Sequence, residues 1–93
     1  MRIGSLTVWL EVPGADSLKD KRQVVRSLLE QTRRKFNVSA AEVDQLDSWR
    51  HATLGFAIVS NDGAFIDQVF AKLVDTLEAE PRSLVIDTQQ EIV

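Results

Sequence analysis

Residues 5–21 read SLTVWLEVPGADSLKDK. They hold a strand, a stop and a helix start in one line. Leu6, Val8, Leu10 and Val12 alternate with Thr7, Trp9 and Glu11. A period of two puts one set of side chains on a buried face, so residues 3–12 are predicted to form a strand. Pro13-Gly14 ends it. Ser17 then stands where a helix cap belongs, its hydroxyl placed to accept from the amide of Asp20. Asp20 in the first turn also suits the positive end of the helix dipole. Glu or Gln at that position would complete a standard capping box, and Asp is a shorter variant.

Leu18, Val25, Leu29 and Phe36 fall within about 20° of one another on a helical wheel. Val24, Leu28 and Thr32 widen that stripe. The spacing predicts an amphipathic helix over 18–36, stopped near Asn37. VSAAEV (38–43) is a short, weak strand, and 44–48 a turn or an irregular extension. RHATLGFAIVS (50–60) is a strong strand with Leu54, Phe56 and Ile58 on one row. Thr53, Gly55, Ala57 and Val59 form the other row, as in a central strand. Asp62 can cap a second helix, in which Phe65, Ile66, Val69, Phe70, Leu73, Val74 and Leu77 recur at helical spacing. Pro81 closes it, and 82–93 is a final strand with Leu84 and Ile86 facing in. The order β-α-β-β-α-β predicts one domain over 1–93, an α+β ferredoxin-like α/β sandwich. Both helices should lie on one face of an antiparallel sheet.

The 93 residues suit one domain and include no cysteine, which excludes disulfides and thiolate metal sites. The first residues lack the apolar run of a signal peptide or membrane span. The expectation is a cytoplasmic protein with no membrane partner.

The net charge of −3 conceals an asymmetry. Seven cations and three anions lie between Asp16 and Lys35, leaving four cations and eleven anions for the rest. Such a basic element on an acidic body attracts anions selectively. On the wheel Lys19, Arg22, Arg26 and Arg33 cluster at about 40–100° and form a strip about 21 Å long. They are the candidate RNA- or anion-binding residues. Arg26–Glu30 and Glu30–Arg34 have the i, i+4 spacing of helix ion pairs. Lys21 and Lys35 fall beside the apolar stripe, where long stems lie over a core and the charged heads reach outward.

Convergent catalytic chemistry is not visible. His51 is the only histidine, and Asp44, Asp47 and His51 match no compact metal-ligand spacing. No glycine-rich phosphate loop is present. Neither a cofactor nor a metal is expected, and an enzyme is the least favoured reading. The helix-free face of the sheet should carry Thr7, Trp9, Glu11, Thr53, Gly55, Ala57 and Val59, with Glu42 and Asp87 added from the outer strands. An acidic face with one aromatic argues against RNA binding there. Trp9, Ala57 and Val59 are instead candidate interface residues, most simply for a homodimer. A small-ligand sensor could share this topology, but no residue argues for it.

Together SLKDKR (17–22), AEVDQLDSWRHATLGFAIVSND (41–62) and the tryptophan of VWLEV (8–12) resemble the YlxP-like family of small bacterial proteins, a domain of unknown function. The resemblance covers nearly the whole chain and implies a ferredoxin-like fold. Genes of that family often lie near translation and ribosome-maturation genes. That would suit a cytoplasmic partner such as structured RNA or a ribosomal particle, with no DNA expected. The family supplies no catalytic residues to carry over.

Overall fold

The computed structural model describes residues 1–93. The elements run β1 (Arg2–Glu11), α1 (Leu18–Lys35), β2 (Ser39–Asp44), β3 (His51–Ser60), α2 (Gly63–Glu78) and β4 (Leu84–Ile92). All neighbouring strands are antiparallel, in the order β2-β3-β1-β4. This is the α+β ferredoxin-like arrangement expected. No helix is long and apolar enough to cross a membrane.

The strand–turn–helix unit forms as read. Leu6, Val8 and Leu10 are buried, as are Leu54, Phe56 and Ile58 across the β1–β3 ladder. The Ser17 hydroxyl accepts from the Asp20 amide at 3.1 Å. The Asp20 carboxylate accepts in turn from the Asp16 amide at 3.1 Å. The shorter side chain thus closes its box one residue outside the cap. At the other end, the Phe36 amide donates to the Thr32 carbonyl at 2.8 Å and the chain becomes extended. Asp62 caps α2, accepting from the Ala64 amide at 2.9 Å.

α1 packs over β2, and α2 over β3, β4 and β1. Ile66, Phe70, Leu73 and Leu77 of α2 are all buried, whereas Phe65 lies off that stripe and is half exposed. Gly4 makes the close approach possible. A Cβ there would collide with Ile66 Cγ2 and would stand 3.0 Å from the Phe70 ring and 3.2 Å from Ile58. Overpacking of this kind costs about 1–3 kcal/mol.

Two outer-strand expectations are overturned. Glu42 pairs with Leu54 in the ladder, and Leu54 points to the helix side. Glu42 therefore lies under α1, not on the open face, and Ala41 and Val43 take the open side. In β4 the ladder shifts between Trp9 and Leu10, so that Trp9 meets Asp87 and Leu10 meets Val85. Ile86 is the extra residue of that bulge. Val85, not Leu84 or Ile86, packs against the core, and those two are each 56% exposed. Asp87 opposite Trp9 is on the open face, as expected.

Candidate functional site

α1 carries cations on two of its sides, and they meet different fates. Lys21 is fully buried. Its Nζ donates to Glu42 Oε2 at 2.8 Å and to the carbonyls of Gln45 (2.9 Å), His51 (3.2 Å) and Leu46 (3.3 Å). An ammonium has three protons, so four acceptors require one to be shared. The expectation that Lys21 reaches outward is wrong. A buried ammonium needs an opposite charge and full hydrogen bonding, and both lie beneath the helix rather than in solvent. Lys35 does behave as expected. It is exposed, with its Nζ 5.7 Å from the Phe36 ring centre and 3.2 Å from Thr76 Oγ1.

Arg22, Arg26 and Arg33 line one groove of about 260 Å³ between α1 and the edge strand β2. Val25 and Leu29 form its floor, and Glu42 is its only acidic lining residue. Lys21 neutralises that carboxylate from the buried side. Three arginines therefore line a groove whose one carboxylate is already paired with Lys21. Arg33 is anchored, donating through Nη2 to the Ala40 carbonyl of β2. Glu30 turns to Arg34 at 3.8 Å, so the anticipated Arg26–Glu30 pair does not form. Lys19, Arg22 and Arg26 have no carboxylate partner. Lys19 is exposed on the same helix, outside the groove lining.

The open face carries its apolar row, but not in the anticipated proportions. Val59 is 63% exposed and Ala57 is exposed, whereas Trp9 is half-buried. Three further apolar residues join them. Ile3 pairs with Val59 in the ladder and is 40% exposed. Val93 exchanges backbone hydrogen bonds with Ile3 at 2.9 and 3.0 Å. Val43 lies over Gly55, where a Cβ would meet Val43 Cγ1 at 2.9 Å. A shallow depression of about 380 Å³ follows Ala41, Val43, Gly55 and Ala57.

Two features were not legible as site elements. Lys21 had a signal: on the wheel it stands at about −60°, between Leu28 at about −80° and Thr32 at about −40°. That position lies inside the apolar stripe, where a lysine calls for a buried partner. The second is the β2–β3 loop, expected as a turn or an irregular extension, which exposes Leu46 and Trp49. Asp44, Asp47 and His51, on and beside that loop, form no metal-binding cluster. The His51 carbonyl, rather than its ring, takes part in the Lys21 site.

Comparison with known proteins agrees with the sequence resemblance. Residues 3–90 match the family described as "Protein of unknown function (DUF503)", and the chain belongs to that family. It is similar to "Uncharacterized protein YlxP" of Bacillus subtilis (strain 168). The two are 31% identical over 67 residues, which is 72% of this chain and 73% of the relative. Among solved structures it is similar to "Structural Genomics, protein YJCS", with a TM-score of 0.54, 14% identity and 96% of each chain covered. That likeness is one of fold alone.

Proposed function

We propose that this chain is a non-enzymatic binding module that holds phosphates of a structured RNA or a ribosomal particle along the outer flank of α1. The observation that carries this reading is the groove of Arg22, Arg26 and Arg33. Its one acidic wall residue is already neutralised by Lys21, and no carboxylate is within ion-pair distance of Arg22 or Arg26. Planar guanidinium groups suit phosphate oxygens, and exposed cations with no internal partner are free to release counterions on binding. Such contacts position a nucleic acid without reading its bases. Replacing Arg22 and Arg26 together by Glu should abolish RNA retention while the circular-dichroism spectrum stays unchanged. Full retention by that variant would sink the reading.

A second reading is a homodimer formed through the open face. It is favoured by the contiguous exposure of Ile3, Ala57, Val59 and Val93 beside the half-buried Trp9. Trp9→Ala should then lower the apparent mass in light scattering. A wild type that stays monomeric at high micromolar concentration rules this reading out.

A further inference from the structure

The β2–β3 loop is held on both sides of one exposed aromatic ring. Gln45 has φ 58°, the only left-handed non-glycine residue in the chain. Its carbonyl accepts from Lys21 and from the Ser48 amide at 3.0 Å, and its side-chain oxygen accepts from Thr53 Oγ1 at 2.8 Å. Ser48 Oγ accepts from the His51 amide at 3.2 Å. After Trp49, the Arg50 carbonyl accepts from the Val12 amide at 2.7 Å, and Arg50 Nε donates to the Ala15 carbonyl at 3.0 Å. The residues flanking Trp49 are thus fixed to the body of the protein, yet the Trp49 side of the loop stays in solvent, with the residue 57% exposed. A left-handed residue and a buried lysine are costly ways to shape a turn, and such costs cluster where a loop's shape is used.

The loop is also tied to the groove. Lys21 bonds the loop carbonyls of Gln45 and Leu46 and, through the same Nζ, the groove residue Glu42. Arg22 follows Lys21 on α1, and the groove leads from there along the helix to Arg33. Of the loop's own charges, Asp44, which accepts from the Gln45 amide, and exposed Asp47 are acidic, and the one cation, Arg50, is turned back onto the Ala15 carbonyl and lies 3.8 Å from Asp16. A phosphate would be repelled there, while a neutral base would not. The charge layout therefore separates the two halves of a nucleotide, with phosphates on the arginines and a base at the loop.

From this, and resting on the phosphate-binding reading above, we infer that Trp49 is a base-stacking platform on the loop that Lys21 ties to the arginine groove, and that the ligand is an RNA segment with at least one unpaired base. An indole face stacks any base without sequence preference, and an unpaired base is what a surface aromatic can take hold of.

The test uses the Trp9→Phe chain, in which Trp49 is the sole tryptophan. It is titrated with oligouridylate and, separately, with a blunt RNA duplex carrying the same number of phosphates. Oligouridylate should quench Trp49 emission and the duplex should not. Trp49→Ala should weaken oligouridylate binding about tenfold with the salt dependence unchanged. Equal binding of both RNAs with silent Trp49 emission overturns the stacking site and leaves the charge reading standing. Absence of binding by either RNA overturns both.

Discussion

Lys21 and Arg22 are neighbours in sequence and opposites in use. The first is fully buried and meets one carboxylate and three carbonyls. The second is exposed and has no carboxylate partner. One site is closed and holds the β2–β3 loop to α1, and the other is open and holds nothing of the protein. A basic run is therefore not one feature. On a helix, adjacent residues point about 100° apart, so one lysine can become structural while the next arginine remains available to a ligand.

The contrast predicts stability effects that fall steeply from one site to the other. Lys21→Met should cost the most, about 3–5 kcal/mol in urea denaturation, because it leaves Glu42 and the loop carbonyls unpaired in a largely dry site. Adding Glu42→Leu to that variant should recover part of the loss, since no buried charge then remains. An equal or greater loss in the double variant would show that the two residues act separately.

Glu80 and Arg82 form an intermediate case at the surface. They meet at 2.6 Å, with Glu80 largely shielded and Arg82 half exposed. The side-chain hydrogen bond from Arg82 holds the Glu80 carboxyl below its ordinary value, against the opposing effect of burial. The same bond raises the Arg82 value, so the guanidinium stays charged throughout. A depressed carboxylate contributes stability that is complete above its unfolded-state pKa and is lost as pH falls through the folded-state value. Arg82→Ala should therefore cost at most about 1 kcal/mol at neutral pH. Wild type and variant should converge in melting temperature as the solution is acidified below the usual carboxylate range. Curves that stay parallel into acid would show that Arg82 acts through Ser27, to which its Nη2 donates at 3.0 Å.

Smallest of all should be the stability effect of the Arg22→Glu, Arg26→Glu double variant. Exposed, unpartnered side chains of this kind shift unfolding by no more than about 0.5 kcal/mol. A large loss would mean that these arginines hold the fold, and the contrast with Lys21 would break.

Most of the architecture was legible because it rests on local chemistry. The alternation in residues 6–12, the Ser17 and Asp62 caps and the α2 stripe each follow from a few adjacent residues. The outer strands were less so. SAAEVD in β2 has no apolar alternation strong enough to set its register, so the sequence pattern puts Glu42 on the wrong side of the sheet. The bulge at Ile86 likewise moved the inward position of β4 to Val85. The Lys21 site joins residues 21 to 30 positions apart, and no periodicity reports such a contact. The arginine strip was visible on the wheel, but its value as a site depended on Glu42 lying in the groove wall under Lys21, which only the packed structure reveals.

Phosphate neutralisation by the α1 flank is tested by the salt dependence of RNA binding. For a single strand, the logarithm of the binding constant should fall linearly with the logarithm of salt concentration, with a slope near −0.7 per phosphate neutralised. Three to four cations then predict a slope of roughly −2 to −3, reduced by about 0.7 in Arg22→Ala. Binding that is insensitive to salt, or a slope that Arg22→Ala leaves unchanged, would mean that the α1 flank does not hold phosphates.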